Sequence, residues 1–368
     1  MRIKKVISQI HLWMGLILGI LFFVIALSGA LYTWSPEISS IIYHKKVYPQ
    51  DRPFVPVSTL KAVLENDFPE GDFITALYQG RSHAIQVLLF APGTYYNASM
   101  DPYTGELIHL QDMKKGWLNY LKLLHRNLIL GDIGREIVHW GTLFFFIALI
   151  TGIIMWWPVN KAGKRQRLII KWNVSPKRLN YDLHNVLGFY ASWILIFSVL
   201  TGLFWSFDIV KYSLEKITGE TQIQYDVPLS VDVGDRAKFN QFALIDDLMQ
   251  QFRVRYPDKP IRISNPQKPS DPIRVVVLDP KMRLYKTDHY YFDRYTGIAL
   301  VGQFKNDLHT KSSLFNTLQS LVYDIHLGTV FGLPSRLLVF FGSLIGASLP
   351  ITGFLVWFNK RKKGRINN

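Results

Sequence analysis

Residues 125–157 and 326–358 are two copies of one segment, and this duplication limits the possible folds more than any other feature of the chain. A shift of 201 residues lays HRNLILGDIGREIVHWGTLFFFIALITGIIMWW on HLGTVFGLPSRLLVFFGSLIGASLPITGFLVWF without a gap, and ten of the 33 positions are identical. The matches include His125/His326, Gly131/Gly332, Arg135/Arg336, Thr151/Thr352, Gly152/Gly353 and Trp156/Trp357. Apolar segments resemble one another by composition, but a shared His ten residues before a shared Arg is harder to reach that way. A second offset, 173, relates two further stretches through His11/His184, Gly15/Gly188, Leu27/Leu200, Ser28/Thr201 and Gly29/Gly202. The chain therefore reads as two halves.

Four runs, at 10–34, 137–157, 183–207 and 337–358, contain no Asp, Glu, Lys or Arg. At about 1.5 Å of rise per residue, each is long enough to cross a hydrocarbon core of roughly 30 Å. Tyr32, Trp34, Trp156, Trp157, Trp205 and Trp357 stand at their ends, where aromatic rings suit the membrane interface. The first run lacks a small-residue cleavage site and continues into Ser35-Pro36-Glu37, so it reads as a retained anchor. The absence of cysteine excludes disulfides, thiolate-held Fe–S clusters and haem attached through C-x-x-C-H.

The net charge of +15 is carried by three tracts. Residues 1–10 hold three Lys/Arg, 158–181 seven and 359–368 five, with no acid in any of them; the remaining 27 basic residues balance 27 acidic ones. The positive-inside rule places both termini and the middle loop in the cytoplasm. The tracts read as topology signals and contacts to anionic membrane lipid rather than to nucleic acid.

The fold expected is an α-helical membrane protein with α+β extracytoplasmic domains, its four transmembrane helices arranged as two parallel repeats about an axis along the membrane normal. The boundaries run as follows: lead and first membrane helix 1–35, first external domain 36–113, surface helix and second membrane helix 114–157, basic loop 158–181. The third membrane helix is 182–207, the second external domain 208–315, the last surface and membrane helices 316–358, and the basic tail 359–368. In the first external domain a helix is expected over Val57–Phe68, with strands near Phe73–Gln79, His83–Phe90 and Tyr95–Met100. In the second, a polar linker at 208–237 precedes a helix near Lys238–Tyr256 and strands near Ile273–Asp279 and Tyr285–Phe292. Each domain contains one Asp-x-Tyr-Thr-Gly turn, Asp101–Gly105 and Asp293–Gly297, with glycine placed for positive φ.

Topology sorts the repeated histidines by side: His11 and His184 at the cytoplasmic edge, His125 and His326 at the outer edge. A pseudo-twofold can bring each pair face to face, the geometry of bis-His ligation to a b-type haem, giving two haems per chain. Gly15 and Gly188, one turn from their His, leave room beside a helix for a porphyrin or for close helix packing. Arg135 and Arg336 suit haem propionates, because a guanidinium fork matches a carboxylate; snorkelling at a helix end is the competing role. His139 is an alternative outer ligand, although its repeat counterpart is Phe340. His44, His83, His109, His289 and His309 lie outside the repeats and read as surface residues.

At these residues the chain resembles the PepSY-associated transmembrane helix family. The matching pieces are His11-x3-Gly15 with Ser28-Gly29, and Leu124-His125-Arg126 with Gly131-x2-Gly134-Arg135 and Thr151-Gly152-x3-Trp156-Trp157. They continue with Leu183-His184-x3-Gly188 and Thr201-Gly202, and with Ile325-His326-x-Gly328 and Thr352-Gly353-x3-Trp357. The two Asp-x-Tyr-Thr-Gly turns look like the ends of PepSY modules. Phe358 stands where the other half has a second Trp, and Ser335 answers Gly134.

The resemblance implies a bacterial inner-membrane protein linked to iron uptake, of a kind in which haem-containing members reduce ferric siderophores. The function expected is transmembrane electron transfer from a cytoplasmic reductase or quinol to an external ferric siderophore. A non-enzymatic PepSY-type regulator or peptide-binding protein is the alternative. A transporter fits less well, because the apolar runs carry no charged residues to mark an ion path. No G-x-G-x-x-G lies between a strand and a helix, so nicotinamide chemistry requires a partner.

Overall fold

The computed structural model describes residues 2–43, 45–158, 167–220, 228–231, 240–281, 283–301 and 308–366. The chain divides into two compact units, one of Met1–Ser35, Tyr120–Ser213 and Ile325–Asn368, the other of Pro36–Asn119 and Leu214–Asp324.

The first unit is helical. Among the described residues three helices are long and apolar enough to cross a membrane: Gly131–Trp156, Pro176–Ser206 and Leu333–Arg361. The first apolar run differs from the single straight helix the sequence suggests. It is a pair of helices, Ile3–Ile17 and Gly19–Tyr32, bent by 68°, and Leu18 between them leaves helical geometry at φ −100°, ψ 3°. A Cβ on Gly19 would lie 3.2 Å from Cβ of Pro350, so close approach of the helix Leu333–Ile366 at the bend requires glycine. The same helix packs closely on Gly188–Ser206. A Cβ on Gly342 would stand 3.0 Å from Cγ2 of Ile194, and one on Gly346 3.0 Å from Cδ1 of Leu195. Small residues four apart admit a neighbouring helix in this way. Leu149, Ala191, Leu195, Val199 and Leu203 form the buried seam between two spans.

Several boundaries differ from the sequence reading. The surface helix expected over 114–134 is Trp117–Asn127, and it ends because Leu128 and Ile129 adopt left-handed φ of 54° and 63°. Pro36 does not stop the chain's helical course. It sits in the first turn of a short helix, Ser35–Ile42, where its missing N–H leaves no bond unmade. Part of the expected linker at 208–237 is the helix Asp208–Thr218; residues 221–227 and 232–239 lie outside the described residues, as do 159–166 of the basic loop and 367–368 of the tail.

The second unit is built on one sheet. Its strands are β1 (Asp72–Tyr78), β2 (Ile85–Ala91), β3 (Thr94–Met100), β4 (Leu107–Asp112), β5 (Ile261–Ser264), β6 (Ile273–Val277), β7 (Asp288–Phe292) and β8 (Ala299–Leu300). They lie in the order β4-β3-β2-β1-β5-β6-β7-β8. The sequence reads as two separate external domains; instead two antiparallel meanders join edge to edge, with β1 paired to β5 from Thr75↔Ser264 to Tyr78↔Ile261. Alternate residues, Val87 and Leu89, Ile261 and Ile263, Val275 and Val277, bury under the helices Val57–Asp67 and Gln241–Arg255. Each such side chain contributes roughly 1.5–3 kcal/mol on burial. Asp246 on the second helix accepts the Ser58 N–H at 3.0 Å and so caps the first.

The repeated turns are alike. Asp101 Oδ1 accepts the Tyr103 and Thr104 N–H groups at 2.7 and 3.0 Å, and Asp293 Oδ1 those of Tyr295 and Thr296 at 3.0 and 2.8 Å. Gly105 and Gly297 close them at φ 78° and 70°. The histidines read as surface residues are half-buried: His83, His109, His289 and His309 all have restricted exposure. His109 stacks on Tyr43 and His309 bonds Asp288 at 2.7 Å; His44 lies outside the described residues.

Candidate functional site

Four histidines of the helical unit meet as two pairs. His11 and His184 have ring centres 6.4 Å apart at an interplanar angle of 74°, and His125 and His326 have ring centres 6.0 Å apart at 57°. His11 is on the helix before the bend, and His184 is in a π-helical turn, Leu183–Leu187, that opens the third span. Such turns break the regular hydrogen-bond ladder and recur at functional sites. His125 and His326 occupy the last turns of Trp117–Asn127 and Leu314–Leu327.

Each ring docks on a neighbouring helix at a Ser/Thr-Gly step. His11 Nδ1 reaches the Ala148 carbonyl and Thr151 Oγ1, both at 3.1 Å. His184 Nδ1 reaches Thr352 Oγ1 at 2.9 Å. His125 Nδ1 reaches the Ile25 carbonyl at 2.9 Å, and His326 Nδ1 the Ser198 carbonyl at 3.0 Å and Thr201 Oγ1 at 2.8 Å. The partners obey the sequence offsets: Ile25 and Ser198 differ by 173, Thr151 and Thr352 by 201.

These bonds set the imidazole tautomer. A carbonyl only accepts, so Nδ1 carries the proton in His11, His125 and His326. At His184 the partner is a hydroxyl, but Thr352 Oγ1 donates to its own Ser348 and Leu349 carbonyls, both at 3.1 Å, and is left to accept. In all four rings the proton is on Nδ1 and the Nε2 lone pair is free to bind a metal, the arrangement by which a helix carbonyl or hydroxyl orients a ligating His.

The glycines after Ser28, Thr151, Thr201 and Thr352 admit the rings. A Cβ would lie 2.7 Å from Cε1 of His125 at Gly29, 3.2 Å from Cε1 of His11 at Gly152 and 3.0 Å from Cε1 of His184 at Gly353. At Gly202 the corresponding distance to His326 is 3.9 Å. The Thr-Gly steps are visible in the sequence as repeats. That they seat the histidines is not, because each contact spans about 100 or more residues.

The other candidates are placed less symmetrically. No atom lies within 4 Å of a Cβ built on Gly15, whereas Gly188 faces Leu349 Cδ2 at 3.3 Å. Arg336 is buried, donates to the Thr33 carbonyl at 2.6 Å and lies over the Trp34 ring. Arg135 is exposed and bonds Asp132 at 3.2 Å, beside a small cavity of about 150 Å³ that Leu123, Arg126 and Asn127 also line. His139 is not opposite His326; its ring contacts Phe207 at 6.2 Å, just as its repeat counterpart Phe340 contacts Trp34 at 5.7 Å. Trp205, expected only as an interfacial aromatic, stands edge-on to His326 at 5.1 Å.

The donor set suits one kind of metal group. Among the described residues no three His, Cys, Asp or Glu converge to hold a bare ion. Two opposed imidazoles suit an iron that brings four equatorial ligands of its own. A metal–nitrogen bond of about 2 Å on each side, plus the distance from nitrogen to ring centre, asks for centres roughly 6 Å apart. The open face at Gly15 provides space beside His11. Each pair presents two imidazole donors, the donor set that a b-type haem takes.

The PepSY-associated TM region family matches residues 8–360 of the chain. No curated protein matches it.

Proposed function

The chain belongs to the PepSY-associated TM region family, and from that premise we propose that it is a multi-pass membrane oxidoreductase with a b-type haem at each histidine pair. The observation that carries this reading is the twice-repeated pairing of imidazoles, each with Nδ1 bonded to a neighbouring helix so that Nε2 carries the lone pair. In this reading the bent first helix pair counts as a span, giving four spans in two parallel repeats in a bacterial inner membrane with both termini cytoplasmic.

When bound, a haem supplies a one-electron Fe(III)/Fe(II) couple. The chain's residues determine how such a couple is held. Thr151, Ala148 and Thr352 orient the inner imidazoles, while Ile25, Ser198 and Thr201 orient the outer ones. Arg135 and Arg336, ten residues after His125 and His326, would be the partners of the propionates. With the group bound, the pairs would link a cytoplasmic reductase or quinol, as electron donor, to an external acceptor, a ferric siderophore. Reduction to Fe(II) weakens binding by hard oxygen donors and releases the iron. A pair at each membrane edge divides a gap of roughly 30 Å into shorter steps.

Sealed vesicles of known orientation test this function. A reductant on the cytoplasmic side should reduce both centres, and a ferric siderophore added outside should reoxidise them with Fe(II) appearing there. Failure of every ferric complex to reoxidise the protein from either face would overturn the reductase reading.

A further inference from the structure

The turn Asp101–Gly105 and its counterpart Asp293–Gly297 differ in how the arginines beside them are held. At the second turn, Arg294 lies over the Tyr295 ring, 5.4 Å from its centre, and donates to the Lys268 carbonyl and the Gln241 side chain. Protein acceptors hold that charge in place. At the first turn, three arginines from separate segments gather on aromatic rings instead. Arg253, in the last turn of Gln241–Arg255, lies over Phe54 at 3.9 Å from the ring centre and 5.5 Å from that of Tyr78. Arg81, between β1 and β2, reaches the same Phe54 ring at 6.0 Å, and Arg52 the Tyr103 ring at 5.8 Å. The Phe54 and Tyr103 ring centres are 5.2 Å apart, so the three cations share one patch.

These charges are not taken up by the fold. Among the described residues no carbonyl, hydroxyl or carboxylate accepts from the guanidinium of Arg253 or of Arg52. Arg81 donates to the Gln50 carbonyl, and its ion pair with Asp51, at 3.9 Å, is open to solvent and therefore weak. Contact through a ring face leaves the N–H donors of a guanidinium unused. Arg253 is half-buried, and burial, then the charge of Arg81, pull it below the usual guanidinium value. Like charges gathered without acceptors cost free energy that an anion between them would recover. Arg52 and Arg81 are exposed, so a ligand can reach the patch. The position of Arg253 in a last helical turn suits the helix dipole, but that accounts for one cation of the three.

We propose that Arg52, Arg81 and Arg253, seated on Phe54 and Tyr103, form a binding site for a soluble polyanion that bears several carboxylate or phosphate groups. A guanidinium fork matches the two oxygens of such a group with parallel N–H bonds, and a polyanion engages more than one fork at once. An anion with a single headgroup gains only one such contact. The site lies wholly within the second unit and does not depend on the redox reading.

The test is titration calorimetry of the full-length protein in neutral detergent with citrate and pyrophosphate, and with acetate and short-chain phosphatidylglycerol as single-headed controls. Citrate or pyrophosphate should bind about tenfold or more tightly than acetate. Arg253→Gln and Arg52→Gln should each weaken that binding about tenfold. Arg253→Lys, which keeps the charge but loses the fork, should fall between Arg253→Gln and the wild type. If Arg253→Gln does not fold, Arg52→Gln alone decides, because its side chain is exposed and touches only the Tyr103 ring. Absence of binding by both polyanions, binding no tighter than that of acetate, or wild-type affinity in the Gln variants overturns the site. Binding of phosphatidylglycerol without either polyanion overturns the soluble assignment. Haem per chain, measured on the same samples, should be unchanged in the variants, which keeps a failure of this site separate from a failure of the redox reading.

Discussion

A Cβ placed on Gly29 would stand 2.7 Å from Cε1 of His125, closer than real Cβ atoms approach a neighbour. The counterpart, Gly202, leaves 3.9 Å to Cε1 of His326. Gly29→Ala should therefore displace the His125 ring and lower haem occupancy of the outer site by more than half, while Gly202→Ala retains most of it. Haem-to-protein ratios of the two purified variants check this. Equal retention would mean that the ring is not held against the glycine.

The bond from His184 Nδ1 to Thr352 Oγ1 at 2.9 Å gives a second test. Thr352→Val keeps the volume and removes the acceptor, and partners of this kind change metal-site affinity by about 10–100-fold. Haem transfer to apomyoglobin should show faster loss from one of two sites, and Thr352→Ser should restore the slow rate. A Ser variant as leaky as the Val variant would assign the effect to packing instead.

How much of this was legible follows from which contacts are local. The repeat offsets of 201 and 173 are enough to pair the four histidines, because equivalent residues of two repeats occupy equivalent places. The bend at Leu18 was not legible: its run is continuously apolar, and the reason for Gly19 lies 331 residues away at Pro350. The joining of the two external segments through β1 and β5 was hidden for the same reason, since strand edges do not announce their partners. Strands β4, β5 and β8 went unread; β5 and β8 are only four and two residues long. Leu128 and Ile129 take positive φ where their residue types discourage it, so the helix end before Gly131 was also missed.

His125 and His139 compete as outer ligand in the sequence, and the structure places His125 beside His326. His125 faces His326 at 6.0 Å, whereas His139 packs on Phe207. His125→Ala and His326→Ala should each remove the outer haem, and His139→Ala should leave both haems in place. Visible spectra and haem content of the three variants decide it; loss of the outer haem in His139→Ala alone would exchange the assignments.

His289 predicts a pH dependence in the sheet unit. Its folded pKa is depressed from 6.5 to about 3, chiefly by burial and then by Arg274. Below 6.5 the unfolded chain takes up a proton that the folded chain refuses, so stability falls as pH drops through the window from 6.5 towards 3. The loss is about 2 kcal/mol by about pH 5, from roughly 1.4 kcal/mol per pH unit. Hydrogen exchange of β6 and β7 amides, corrected for intrinsic rates, should show protection lost on acidification. His289→Gln should flatten that dependence; an unchanged profile in the variant would assign the acid sensitivity to other groups.

The central claim is that each opposed histidine pair holds a haem, and haem stoichiometry tests it most directly. Pyridine haemochrome analysis of full-length protein, expressed with haem in excess, should approach two b-type haems per chain. The oxidised spectrum should be low-spin, as bis-imidazole ligation requires. A colourless, folded protein with haem near zero would contradict the account, and the two histidine pairs would then be helix-packing contacts.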